Sequence, residues 1–354
     1  MKTYKNLYPF IISIENLLLA ARKAAKGKRY KTNTARFHVE LEKEIIRLHD
    51  ELKNKQYQPG PYREFYICEP KMRMISAAPY RDRVVHHALC NIIQPLFERS
   101  FIDDSYANRI GKGTHRAVLR YQEYAGRYKY VLKGDVKKYF ASIDHEILKM
   151  KIRKKIADGD TLWLTDRIID CSNLQEPVFE YFPGDTLFSP FEKKRGLPLG
   201  NLTSQFFANI YLDSMDHYIK ETLCCGAYVR YVDDWVIFGD DKSVLNRIRG
   251  QIKKYLEGLR LSMHENKSRV HRVSEGLCFL GHRIFPEYRR LKRENVVRFR
   301  KRMRKMQRLY EEGRMSWQDV NNSIQSWNAH AAFSRTWHLR SRLFSQYTFQ
   351  RRSA

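Results

Sequence analysis

Residues 227–238 set the tightest limit on what this chain can fold into. Ala227-Tyr228-Val229-Arg230 and Trp235-Val236-Ile237-Phe238 are short, apolar and rich in β-branched and aromatic residues, and Tyr231-Val232-Asp233-Asp234 lies between them. That composition predicts a β-hairpin with two adjacent carboxylates at its tight turn. Neighbouring aspartates repel each other. A divalent cation relieves the repulsion and keeps coordination positions open for phosphate oxygens. Aspartate is also a common turn former, so these four residues alone fit a solvated turn equally well.

Charge narrows the function classes. The 354 residues carry 66 Lys plus Arg against 39 Asp plus Glu, a formal net charge of +27. An excess of this size favours a polyanionic partner, most simply nucleic acid. No apolar run reaches the length that crosses a bilayer, and residues 1–10 lack the apolar core of a signal peptide, so no membrane partner is expected. The six cysteines are scattered without a C-x-x-C pair. They indicate neither a zinc site nor a disulfide framework, and a cytoplasmic location is the expectation.

The rest of the chain reads as one continuous multi-lobed unit. Residues 11–26 predict a helix stopped at Gly27, followed by a basic stretch, Lys26 to Lys31. Phe37, Leu41, Ile45, Leu48 and Leu52 recur at helical spacing and predict one amphipathic helix ending before Pro59-Gly60-Pro61. Residues 62–78 read as two strands around Glu69-Pro70-Lys71, residues 81–98 as a helix, and 128–134 as a strand entering Asp135. Ser142 or Asp144 is the expected N-cap of the next helix. Residues 172–195 have no clear period and read as a loop or small irregular sheet. A buried helix is expected from Asn201 or Thr203 to about Glu221, and another from about Ser243 to Leu259. Two short strands are expected near 269–273 and 278–284, and helices from about Glu294. Between Glu287 and Tyr310 eleven Lys/Arg face two Glu; a charge run of one sign favours a phosphate-tracking face over a merely solvated one.

Three carboxylates now stand out: Asp135 at the end of a strand, and Asp233 and Asp234 in the hairpin. Adjacent strands of one sheet would bring them together, as two-metal phosphoryl transfer requires. Around them, blocks occur in a fixed order: Pro70-Lys71-Met72-Arg73, Arg81 to His86, Ser105 to Arg109 with Gly111 to Thr114, Asp135 to Phe140, Gly196 to Gln205, Tyr231 to Asp234, Asn266-Lys267-Ser268, and Phe279-Leu280-Gly281. In this order they resemble the reverse transcriptases, over about residues 62–285.

The resemblance implies an α+β right-hand polymerase. Its parts would be an N-terminal helical extension (1–61), fingers (62–127), palm (128–285, an antiparallel sheet plus helices) and a basic helical thumb (286–354). It implies an RNA-directed DNA polymerase whose partners are template RNA, cDNA or primer, and dNTPs. Two Mg²⁺, for which Mn²⁺ can substitute, would be held by Asp135, Asp233, Asp234 and the Val136 carbonyl. Arg73 matches the fingers arginine that meets the triphosphate. Lys71 is the second basic residue, although the family's usually lies a little earlier, where this chain has Cys68 and Glu69. Phe140 would stand against the sugar 2′-carbon and exclude a ribose, Leu199 and Gly200 would border the nucleotide, and Lys267 would approach the pyrophosphate. Phe279, Leu280 and Gly281 would form the primer grip. Most reverse transcriptases have Gln where Leu199 stands and Pro where Gln205 stands. The Leu199-Gly200…Ser204-Gln205 pattern is similar to the enzymes of diversity-generating retroelements, which miscopy template adenines and act with a small, basic, pentameric accessory protein. Retron, group II intron and phage-defence enzymes share the other blocks.

Overall fold

The computed structural model describes residues 3–68, 72–173 and 176–351. At its centre is a four-stranded antiparallel sheet formed by β3 (Tyr130–Asp135), β4 (Tyr228–Tyr231), β5 (Asp234–Gly239) and β6 (Arg269–Arg272), in the order β4-β5-β3-β6. Ahead of it in the chain, β1 (Arg63–Ile67) and β2 (Arg73–Ala77) make a separate hairpin. After it, β7 (Leu277–Phe279), β8 (His282–Ile284) and β9 (Arg289–Leu291) make a three-stranded meander.

Strands β3, β4 and β5 are largely apolar because both faces of the sheet are covered there, whereas β6 at the edge is basic and partly exposed. Strand residues alternate between faces. Leu132, Tyr228, Trp235 and Ile237 belong to a large core shared with helices Ile14–Ala25, Tyr80–Glu98 and Leu202–His217. Val131, Val229, Val236 and Phe238 belong to a second core with Tyr121 and Tyr124 of helix Thr114–Ala125 and with Phe279 and Ile284 of the meander. Gly134 stands opposite Trp235, and a Cβ there would lie 2.0 Å from the indole. Only glycine admits the ring at the position next to Asp135.

The strands before, around and after the carboxylates lie close to their expected positions. The differences are local. The first expected helix is interrupted at Ser13, whose hydroxyl accepts from the Asn16 N–H at 3.3 Å and caps Ile14–Ala25. The second is broken at Glu40 into Thr32–Val39 and Leu41–Lys53. Asp144, not Ser142, caps helix His145–Arg153, accepting from Glu146 and Ile147. The single strand expected near 278–284 is a hairpin, turned by Leu280 and Gly281 at φ +47° and +89°. A further strand, β9, precedes the C-terminal helices Arg293–Glu311, Trp317–Ala332 and Trp337–Phe344, which share a core of their own around Phe299, Met303 and Leu343. Among the described residues no helix is long and apolar enough to cross a membrane.

Candidate active site

The antiparallel register pairs Asp135 directly with Asp234, so the two side chains leave the same face of the sheet. Asp233 precedes Asp234 in the β4–β5 turn. Three carboxylates from distant parts of the chain are thereby gathered at one end of the sheet. Lys133, two residues before Asp135, leaves the same face; its Nζ lies 3.5 Å from Asp234 Oδ1 and 3.2 Å from the Cys278 carbonyl. Lys267 pairs with Asp135 Oδ2. The β6 approach carries Ser268, whose hydroxyl lies 3.3 Å from the Asp135 amide, while His264 N–H donates to the Asp135 carbonyl at 2.8 Å. Val136 is buried and bridges Met263.

Burial raises the Asp233 carboxyl to about 6, with the charges of Asp234 and Asp135 adding to the shift and Arg73 opposing it. Asp234 is raised chiefly by burial, against the pull of Lys133. Like charges forced together in a desolvated place behave this way. Hard divalent cations are the groups that such a donor set suits. Among the described residues no group of three or more His, Cys, Asp or Glu side chains is arranged so that it could hold a metal ion; Lys133 and Lys267 pair with Asp234 and Asp135 instead.

The other expected site residues fall into three groups. Arg73 opens β2, is exposed, and lies near enough for its charge to act on Asp233. Lys71 lies outside the described residues. Phe140, half-buried beside Tyr139 with ring centroids 5.6 Å apart, accepts from the Leu197 N–H through its carbonyl at 2.8 Å. That bond lays the Gly196–Gly200 turn alongside the chain leaving Asp135. The same turn is strapped to β2: the Leu199 carbonyl accepts from Ser76 N–H at 3.0 Å, and the Asn201 side chain bonds Ser76 O and Ala78 N–H at 3.0 and 3.2 Å. Gly200 adopts φ +110°, and a Cβ there would sit 2.9 Å from Ile75. Phe279 is buried and stacks on Tyr121 at 5.3 Å, so its ring is core and the Leu280-Gly281 turn is the more exposed part of that block.

Sequence reasoning misses Lys133, Asn201 and the Arg230–Asp216 pair. Lys133 and Arg230 do have a signal: each is a charge inside an apolar strand, which a buried strand tolerates only with a partner. Asn201 reads as a helix start, yet its side chain serves β2 rather than the cap.

Against known proteins, the family profile described as reverse transcriptase (RNA-dependent DNA polymerase) matches residues 58–284, well over half of the chain. Protein YkfC of Escherichia coli K12 is 28% identical over 305 residues, covering 74% of this chain and 76% of YkfC. The group II intron-encoded protein LtrA of Lactococcus lactis subsp. cremoris is 28% identical over 219 residues, 61% of this chain but only 34% of LtrA. Among solved structures, apo telomerase from Candida tropicalis aligns with a TM-score of 0.47 at 13% identity, over 65% of this chain and 48% of that one.

Proposed function

Because the chain belongs to the reverse transcriptase family, we propose that it copies an RNA template into DNA, with Asp135, Asp233 and Asp234 as the catalytic carboxylates. The observation that carries this reading is the Asp135–Asp234 pairing across β3 and β5 with Asp233 beside it. Two Mg²⁺ held by these carboxylates and the Val136 carbonyl would activate the primer 3′-hydroxyl and stabilise the leaving pyrophosphate. Arg73 and Lys267 bring positive charge to the triphosphate. Phe140, whose carbonyl accepts from Leu197 in the turn that carries Leu199, would select deoxyribose. A cavity of about 830 Å³ between the β1–β2 hairpin and the basic turn that leads into helix Thr32–Val39 is lined by Lys28, Lys31, Arg63 and Arg83, reaches Gly200 and has no acidic lining among the described residues. It supports passage of a polyanionic strand.

The test is RNA-templated extension of a DNA primer by the purified chain, compared with Asp233→Ala. The variant should lose extension and keep its affinity for the template–primer, since the carboxylate serves catalysis and the basic surface supplies binding. Extension at the wild-type rate by Asp233→Ala refutes the assignment.

Within the family, Leu199 and Gln205 support the diversity-generating reading: synthesis that is error-prone at template adenines, in company with a small basic pentameric accessory protein. The similarity to LtrA supports a second reading, an enzyme of the group II intron type. Sequencing cDNA made from an RNA of known sequence separates them. Errors concentrated opposite adenine favour the first, and uniform fidelity favours the second.

A further inference from the structure

Val232 adopts φ +58°, a left-handed conformation that a β-branched residue enters only under constraint. It is the first central residue of the turn that presents Asp233, so whatever holds Val232 also aims that carboxylate. The neighbouring contacts identify the constraint. Arg230, two residues earlier, is completely buried. Its Nε and one terminal nitrogen donate to both oxygens of Asp216 at 2.7 and 2.6 Å. The other terminal nitrogen donates to Asn209 Oδ1 at 3.2 Å and to the Val232 carbonyl at 3.1 Å. Asp216 and Asn209 both belong to helix Leu202–His217, and Asp216 also accepts from the Tyr228 hydroxyl at 2.7 Å. Asn209 in turn donates to the Ala107 carbonyl at 2.8 Å. The Arg230 backbone is fixed as well: its amide donates to the Asp104 carbonyl at 2.9 Å and its carbonyl accepts from Tyr106 at 3.0 Å.

We propose that Arg230 is a positioning residue for the reaction: clamped by Asp216, its guanidinium holds the Val232 carbonyl and so keeps the turn in the strained form that places Asp233 beside Asp135 and Asp234. Only a planar fork with several donors at fixed angles makes these contacts together. A lysine keeps the charge beside Asp216 but cannot reach two carboxylate oxygens, Asn209 and Val232 at once. Because the guanidinium is neutralised by Asp216 within the core, the turn is held without an extra positive charge competing at the site itself. The inference rests on the reading of Asp233 as a catalytic carboxylate.

The experiment compares wild type, Arg230→Lys, Val232→Gly and the double variant by amide hydrogen exchange without substrate and by steady-state extension. For Arg230→Lys we expect exchange at residues 231–234 to accelerate at least about tenfold while helix Leu202–His217 and β3 stay protected. In extension, kcat should fall roughly ten- to a hundredfold with the KM for dNTP within about threefold. Glycine enters the left-handed region freely, so in the Val232→Gly background Arg230→Lys should change exchange at the turn by less than about threefold. A general loss of protection throughout β4, β5 and the helix, or an equal effect in both backgrounds, overturns the proposal. Should Arg230→Lys fail to fold, Asn209→Ala removes one acceptor without stranding a charge and must show the same local change. The exchange readout needs no activity, so failure here is distinguishable from failure of the catalytic assignment, which the Asp233→Ala comparison reports.

Discussion

Lys267 forms an ion pair with Asp135, although 132 residues separate them and the lysine side chain remains nearly half exposed. A tethered ammonium that neutralises one carboxylate, yet is free to swing on a four-carbon stem, can pass its charge to an incoming triphosphate. Lys133 differs: it is held between Asp234 and the Cys278 carbonyl, and it serves the sheet.

Lys267→Gln should therefore lower kcat about a hundredfold or more if the ammonium assists the leaving group in the transition state. Its effect on the KM for dNTP should be smaller. Pre-steady-state extension with saturating primer measures the chemical step. An unchanged rate would make Lys267 a counter-ion for Asp135 and nothing more.

Acid should destabilise the fold through helix Tyr80–Glu98. Burial pushes His86 down to about 3 and His87 down to about 4, with nearby positive charges adding to both shifts. Unfolded histidines bind protons near 6.5, so below that pH the unfolded chain takes up protons that the folded one refuses. This contribution is complete above pH 6.5 and is lost as pH falls toward 4, at up to about 1.4 kcal/mol per pH unit for each histidine. Asp213, raised to about 6 by burial, acts in the opposite sense over part of the range. The comparison is therefore between wild type and His86→Gln in urea unfolding from pH 7.5 to 4.5. The variant should show the flatter dependence, and parallel curves would remove His86 from the account.

How much of this is legible in the sequence depends on the range of the forces involved. The carboxylate hairpin, helix Lys242–Gly258 and the strand into Asp135 declare themselves through local periodicity and turn chemistry. Helix Thr114–Ala125 also has a signal, in the spacing of Ala117, Val118, Tyr121, Tyr124 and Ala125, although the expected elements do not include it. Strand β9 has none: Arg289-Arg290-Leu291 looks like part of a basic run and becomes a strand only by pairing with β8. The break at Ser13 falls inside an apolar period, where one capping hydroxyl outweighs the pattern. At the site, the three aspartates stand out by type, whereas the partners of Arg230 exist only once helix Leu202–His217 packs on the sheet.

The basic helix Arg293–Glu311 should bind nucleic acid through one face. Phe299, Met303 and Met306 turn inward, and Phe299 stacks on Trp327 at 3.9 Å. Arg300, Lys301, Arg304 and Lys305 are exposed. Neutralising these four to Gln should weaken template–primer binding. It should also flatten the dependence of log K on log salt, by about 0.9 for each phosphate the helix no longer neutralises. Fluorescence anisotropy over a salt series reads both effects. Weaker binding with an unchanged slope would assign this face to something other than phosphate.

Leu199 carries the prediction that separates error-prone from faithful copying. Its carbonyl is fixed to Ser76 of β2 and its neighbour Gly200 packs against Ile75, so the backbone here is rigid and the side chain is the variable. A glutamine at this position can offer a hydrogen bond near the nascent base pair and sugar. Leucine fills a similar length without a donor or acceptor. Apolar fit discriminates weakly between similar ligands, whereas an unmade hydrogen bond in a polar site is penalised heavily. Restoring the amide should widen the gap between correct and incorrect nucleotides by about 1–2 kcal/mol, the order of one hydrogen bond. That corresponds to roughly a five- to thirtyfold fall in relative misincorporation. Leu199→Gln should accordingly reduce errors opposite template adenine in cDNA sequenced at matched extension from one defined RNA. If the variant polymerises normally and its adenine errors stay at the wild-type level, fidelity is set elsewhere in the site.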